Sequence, residues 1–206
     1  MTSDPVRVAL IDDDTAVLDA LGLYLSRQSL NTSCFPSADE FMASLDNAAG
    51  FDCVVSDVRM PGISGLELLD HLAARRIRWP VIFITGHGDI DMAVKAMKAG
   101  AFDFIEKPFD ETHLLASIRS SLEQNLRQTR DEAELEDLRR KFEALSARQR
   151  QVMELAASGL SSKEIARRLD ISAKTVENHR AWVMERIGAR NVAELVRMAI
   201  RIERGA

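Results

Sequence analysis

Five residues in the first 110 positions have side chains suited to handling a phosphoryl group: Asp12, Asp13, Asp57, Thr85 and Lys107. Clustered carboxylates repel one another unless a cation lies among them. Hard oxygen ligands of this kind suit Mg²⁺, which keeps several waters and shares phosphate oxygens. A lysine and a threonine hydroxyl beside them supply a positive charge and a hydrogen bond to the same oxygens. Asp57, flanked by Val54, Val55 and Pro61-Gly62, is placed as a nucleophile that can become an aspartyl phosphate. One acid at a strand end is ordinarily a helix cap, but five groups of complementary type are poorly explained that way. A second group lies in ISAKTVENHRAWVMERIG. Lys174, His179 and Arg180 can reach phosphates, and Thr175, Val176, Glu177 and Asn178 can meet base edges, with Lys163 adding a backbone contact from the preceding helix.

The elements that would position the first group are legible as apolar runs. VRVALID (6–12), NTSCF (31–35), FDCVVSD (51–57), PVIFIT (80–85) and FDFIEKP (102–108) read as strands. Helical spacing falls between them: Val17, Leu18, Leu21 and Leu25, then Leu66, Leu69, Leu72 and Ala73, then Met92, Ala93, Ala96 and Met97 facing inward, stopped by Gly100. Ser37 is placed to cap one helix with Glu40 three residues on, and Asp89 to cap another. Continuous apolar strands alternating with helices predict a parallel sheet covered on both faces, with its ligand site outside the carboxyl ends of the strands. Asp12, Asp13, Asp57, Thr85 and Lys107 all fall at those ends. The expected fold class is therefore α/β, a doubly wound five-stranded parallel sheet. A helix starts near Asp110. From Glu123 to Glu134 the chain turns polar, and Leu135, Leu138, Phe142 and Leu145 then repeat at steps of three, four and three. That stripe fits a linker helix leaning on its own domain as well as a short coiled coil.

Past Leu145 there is no strand signal. Four short helices fit, Ser146–Ser158, Ser162–Leu169, Ser172–Ile187 and Asn191–Ile202, with the first residue of each as its cap. Val176, Val183, Met184 and Ile187 share one side of the third. A short helix, a tight turn and this helix make a helix-turn-helix with a candidate recognition helix. The expected domains are 1–124, a linker helix 125–144, and a small all-α four-helix domain 145–206.

The 206 residues leave room for two modest domains, and 46% hydrophobic content with 29% charge argues against disorder. Residues 1–144 carry 15 basic and 25 acidic side chains, whereas residues 145–206 carry 12 basic and 7 acidic ones. An acidic half suits a cation and a basic half suits phosphates. No apolar run approaches a membrane span, and MTSDPVRVAL is not a secretory leader. Cys34 and Cys53 lack metal-ligand spacing and read as buried, reduced thiols of a cytoplasmic protein. The four His, at 71, 87, 113 and 179, are too scattered for a metal cluster.

IDDD, VVSDVRMPGISG, FITGHGD and AFDFIEKPF resemble the CheY-like receiver domain of two-component response regulators over residues 5–124. LSARQRQVMELAASGLSSKEIARRLDISAKTVENHRAWVMERIG resembles the LuxR/NarL-type DNA-binding domain over 145–205. Together they look most like FixJ-type regulators. The resemblance implies that Asp12 and Asp13 hold Mg²⁺ with the Asp57 carboxylate and the Arg59 backbone carbonyl. It implies that Asp57 takes a phosphoryl group from a sensor histidine kinase, and that Lys107 and Thr85 contact the phosphate. Thr85 and Phe104 are the implied switch residues, with Phe104 replacing the Tyr of many receivers. The implied partners are the kinase, promoter DNA, a second copy of the chain on phosphorylation and RNA polymerase, with no membrane. The expected role is a transcription regulator and not an enzyme. IDDDTAV resembles the opening of haloacid-dehalogenase-like phosphatases, but Ala16 stands where that motif needs Thr or Val. Gln149 and Gln151 stand where the DNA-binding family often has glutamates, a departure that bears on local capping or ion pairing.

Overall fold

The computed structural model describes residues 5–45, 50–86 and 90–204, with side chains through Ile202. The expected cap at Asp89 lies outside these residues. The chain divides into two compact units, Met1–Arg127 and Gln128–Ala206.

In the first unit β1 (Arg7–Ile11), β2 (Asn31–Phe35), β3 (Cys53–Asp57), β4 (Val81–Thr85) and β5 (Asp103–Glu106) alternate with α1 (Thr15–Arg27), α2 (Ala38–Ser44), α3 (Gly65–Ala74) and α4 (Ile90–Lys98). The strands pair in parallel in the order β2-β1-β3-β4-β5. Successive side chains point to opposite faces, and both faces are covered. Val8 and Leu10 of β1, with Ile82 and Ile84 of β4, pack with Leu18, Leu21, Leu25, Leu114 and Ile118. Ala9, Ile11 and Phe83 pack on the other side with Phe41, Leu68, Leu69, Leu72 and Ala96. Burial on both faces is why these strands read as unbroken apolar runs. The order reverses between β1 and β3, so a crevice opens outside their carboxyl ends.

Three inward assignments shift. On α3 the buried residues are Gly65, Leu68, Leu69 and Leu72, while Ala73 faces solvent. On α4 only Ala96 is fully buried and Met97 is 48% exposed. A helix turns by about 100° per residue, so a contact stripe centred on Ala96 leaves its neighbour outside. Cys34 is exposed, because β2 is the edge strand with one neighbour. Cys53 is buried as expected, and burial pushes its thiol up to about 12.

α5 (Glu111–Glu143) runs without a break through the polar stretch that reads in the sequence as a separate linker. Its end and α6 (Ala147–Ala157), α7 (Ser162–Leu169), α8 (Ala173–Ile187) and α9 (Val192–Arg204) make the second unit. Leu138, Phe142 and Leu145 pack there with Val183, Ile187, Leu195, Met198 and Ile202. A second cluster joins Val152, Ala156, Ile165, Ala166 and Val176. Arg201 of α9 reaches Glu134 of α5 at 3.6 Å, an exposed pair of small energetic weight.

Ser146 caps α6 in a reciprocal box with Gln149, so glutamine does at this position what glutamate would do. Gln151 accepts a hydrogen bond from Arg148 Nη1 at 3.3 Å. The cap of α7 is Ser161, not Ser162. Glu164 lies three residues beyond Ser161 and returns a bond to its N–H at 2.8 Å, whereas Ile165 stands three beyond Ser162. The hydrogen bonds from Ser161 hold the Glu164 carboxyl below its ordinary range. That contribution is therefore present above the ordinary Glu range and lost only as pH falls through the lowered value. Ser161→Ala should cost about 1 kcal/mol in chemical denaturation of the second unit, and Ser162→Ala clearly less. Equal losses would move the cap back to Ser162.

Candidate functional site

The crevice outside β1 and β3 gathers the first group of residues. Asp12 follows β1 directly and is 2% exposed, and Asp57 ends β3. Carboxylate oxygens of Asp12, Asp13 and Asp57 lie within 4.8 Å of one another. Lys107, one residue past β5, donates from Nζ to Asp12 Oδ2 at 2.7 Å and to Asp57 Oδ2 at 3.3 Å. Burial opposes the charge on Lys107, but the hydrogen bond and charge of Asp12, with those of Asp57, outweigh it and hold the ammonium above its ordinary range. Its contribution to stability is thus full below the ordinary lysine value and is lost only as pH rises through the raised one.

Local hydrogen bonds set the carboxylates. Asp12 Oδ1 accepts the Asp14 N–H at 2.9 Å, and Asp57 Oδ1 accepts the Arg59 N–H at 3.2 Å. Asp14 is used differently, as the cap of α1, accepting the Ala16 N–H at 2.9 Å. Close packing holds the loop after β3: a Cβ on Gly65 would collide with the Asp57 carbonyl and come within 2.8 Å of the Phe83 ring. Only glycine lets α3 begin so near the nucleophile candidate. Thr85 is buried at the end of β4, one residue beyond the Ile84 that pairs with Asp57, and its carbonyl accepts the Lys107 N–H at 2.7 Å. Phe104 pairs with Phe83 and packs half-buried in the cluster that contains Ala96 and Met92.

Hard oxygen donors in this number fit Mg²⁺ in charge and type. Asp13 is exposed and Asp57 is partly so, leaving access from solvent. A partly exposed carboxylate, a fixed cation and a buried threonine at the end of the neighbouring strand are of the chemical types that handle a dianionic group.

In the second unit the residues expected to meet DNA divide into two sets. Lys163, Lys174, Glu177 and Asn178 are exposed. Lys174 Nζ lies 3.8 Å from Glu177. Thr175 is half-buried, and its hydroxyl shares a 2.8 Å hydrogen bond with the cap residue Ser172. His179 is half-buried. Arg180 turns inward, donating from Nη1 to Ser162 Oγ of α7 at 3.2 Å beside Val152 and Val183. Val176 corrects the reading of it as a base contact: it is 0% exposed and sits in the core with Ile165 and Ala156. An i, i+7, i+11 stripe of Val176, Val183 and Ile187 faces the other helices, so the Val176 methyls are spent inside the unit. The turn before α8 passes through Asp170, in the left-handed region at φ 51°. Arg148 Nη2 donates to the Leu169 carbonyl at the end of α7 at 2.7 Å. Arg148 carries no mark of this role in the sequence, because an arginine in the first turn of a helix gives no local sign of which distant carbonyl it will reach.

Residues 8–119 match the response regulator receiver domain, and residues 143–199 match the luxR family of bacterial regulatory proteins. The chain is 44% identical over 195 residues to the transcriptional regulatory protein FixJ of Bradyrhizobium diazoefficiens, covering 95% of each chain. It is 41% identical over 196 residues to the response regulator protein TmoT of Ectopseudomonas mendocina, covering 95% of this chain and 89% of that one. Among solved structures, the response regulator StyR superposes with a TM-score of 0.80 at 36% identity, over 96% of this chain and 99% of that one. Full-length FixJ from B. japonicum gives 0.62 at 42% identity, over 98% and 99%.

Proposed function

The chain belongs to the two-component response regulators that join a receiver domain to a LuxR-type DNA-binding domain and control transcription, and from that premise we propose that phosphorylation of Asp57 is its switch. The observation that carries this reading is the Lys107 ammonium bound to both Asp12 and Asp57 within a three-carboxylate pocket. An Asp57 Oδ attacks the phosphorus of a phosphohistidine on a sensor histidine kinase. The N–P bond breaks, its electron pair leaves on the imidazole, and the phosphoryl group stays on Asp57. Asp12, Asp13 and Asp57, with the Arg59 backbone carbonyl, would hold Mg²⁺. The ion, when bound, neutralises charge on the phosphoryl oxygens. Lys107 exchanges its bond to Asp57 for one to the incoming oxygens, and the Thr85 hydroxyl donates a hydrogen bond to them. Movement of Thr85 toward the phosphate frees space that Phe104 fills, which alters the neighbouring face of α4 and β5.

That face suits a second copy of the chain. Ile90, Val94 and Met97 are exposed on α4 at i, i+4 and i+7, a stripe that water solvates poorly. Pairing brings two DNA-binding units to adjacent half-sites, so their contacts combine through effective concentration. α9 is less available for pairing, because Leu195, Met198 and Ile202 are already packed against α5 and α8. At the DNA, Lys163 and Lys174 contact phosphates while Asn178 and Glu177 face the groove, and RNA polymerase is the further partner. No helix among the described residues is long and apolar enough to cross a membrane. We place the protein in the cytoplasm, where kinase and promoter are both in reach.

Full-length protein incubated with acetyl phosphate and Mg²⁺ should gain one acid-labile phosphate, sediment as a dimer and bind promoter DNA at least tenfold more tightly. Excess chelator should stop all three without changing the far-ultraviolet spectrum. Labelling undiminished by chelator would remove the metal from the site. A phosphorylated protein that stays monomeric would remove the pairing step.

A further inference from the structure

We infer that Trp182 is a DNA-backbone contact at the far rim of the groove, an inference that rests on the reading of α8 as the helix presented to DNA. Trp182 is 43% exposed. Single exposed apolar residues are ordinary, so exposure alone decides nothing. Its place on α8 does. Val176, Val183 and Ile187 define the buried side of this helix. Thr175, His179, Trp182 and Arg186 follow one another at steps of four, three and four, which makes a second stripe along one flank. Arg186 is exposed, and His179 partly so. Glu177 lies toward the opposite flank, where Lys174 Nζ is 3.8 Å from it, and Glu185 lies between the two on the outward side. The Arg186 guanidinium supplies a positive charge to the Trp182 flank for an approaching polyanion. The residues after Leu145 carry 12 basic and 7 acidic side chains, the charge balance such an approach requires.

Distance points the same way. From Lys174 to Trp182 the helix rises about 12 Å at ~1.5 Å per residue. The major groove is about 12 Å wide. When the first turn of α8 lies among the base edges, Trp182 emerges near the sugar-phosphate wall. An indole there packs its flat apolar face on deoxyribose and donates its Nε1–H to a phosphate oxygen, with Arg186 one turn further along the same wall. Such a contact orients the helix without reading sequence.

The chain has two tryptophans, and the other, Trp79, packs edge-on against Phe51 in the first unit. Full-length Trp79→Phe protein thus reports on Trp182 alone. Titrated with a fluorescein-labelled mixed-sequence duplex of about 30 base pairs, its indole emission should change. Acrylamide quenching should fall at least twofold as the labelled duplex saturates. Trp182→Ala in the otherwise unchanged chain should weaken binding about tenfold on every duplex tested. Trp182→Phe should recover most of that loss, and the salt slope should stay unchanged because no charge is removed. If Trp79→Phe protein folds poorly, the difference between unchanged and Trp182→Phe emission on adding duplex gives the same readout. Saturating anisotropy with unchanged acrylamide quenching overturns the contact and leaves DNA binding intact. Protection on concentrating the protein without DNA assigns the face to a second copy and also overturns it. No rise in anisotropy at any concentration overturns the DNA reading and the contact with it.

Discussion

Asp57→Ala protein is expected to take up no acid-labile phosphate from acetyl phosphate or from a kinase, and to lose all phosphorylation-dependent gain in DNA affinity. Loss of label by more than a hundredfold is the expected scale, since the nucleophilic oxygen itself is gone. The fold should survive. Asp57 stands at the solvent end of β3, and its removal lowers the repulsion among three clustered carboxylates. Lys107 keeps its 2.7 Å partner in Asp12, so no buried charge is left unpaired. Thermal unfolding of the variant should therefore match or slightly exceed that of the unchanged protein. Asp57→Asn, which keeps the side chain's shape, should be equally unlabelled. Label retained at its full level in either variant would transfer the nucleophile to Asp12 or Asp13.

Val176→Asp should have the second large effect, on the other unit. Val176 is fully buried among Ile165, Ala156 and Val152, and the nearby Arg180 is already bonded to Ser162. Burying a carboxylate in this apolar cluster should cost about 4 kcal/mol or more. That is a large share of what a unit of this size has to spare, at roughly 5–15 kcal/mol for a whole domain. The helical signal of the second unit should melt early, and binding to every DNA sequence should vanish together. Phosphate uptake at Asp57 should remain, because the receiver's two clusters include no residue of the second unit. A Val176→Asp protein that keeps its melting temperature and changes only its base preference would return Val176 to the groove.

The chemistry at the strand ends is legible in the sequence, for reasons that are local. Apolar runs of Val, Ile, Leu and Phe that end in Asp12, Asp57, Thr85 and Lys107 permit few arrangements once the strands are parallel, since all carboxyl ends then share one edge. The helix-turn-helix was legible through the residues able to cap its helices and the apolar stripe of the third, because a cap is satisfied within one turn and depends on nothing distant. Even there a neighbour decided the detail: two serines stand side by side, and Glu164 pairs with Ser161. What the helix pattern left undetermined was rotational phase. Val176 stands between the half-buried Thr175 and the exposed Glu177, and Met97 adjoins the buried Ala96. Which of two adjacent residues turns inward depends on the elements packed against the helix. The same holds for Arg180, whose guanidinium finds Ser162 eighteen residues away. It holds for Cys34, exposed because its strand took the edge of the sheet. It holds again for α5, whose polar middle carries no break, while its far end supplies Leu138 and Phe142 to the DNA-binding unit's core. Residue type and spacing along the chain determined which groups could act and at which end of the sheet they meet. Packing between elements distant in sequence, where burial of one face excludes the alternatives, decided which side chains remain free to act.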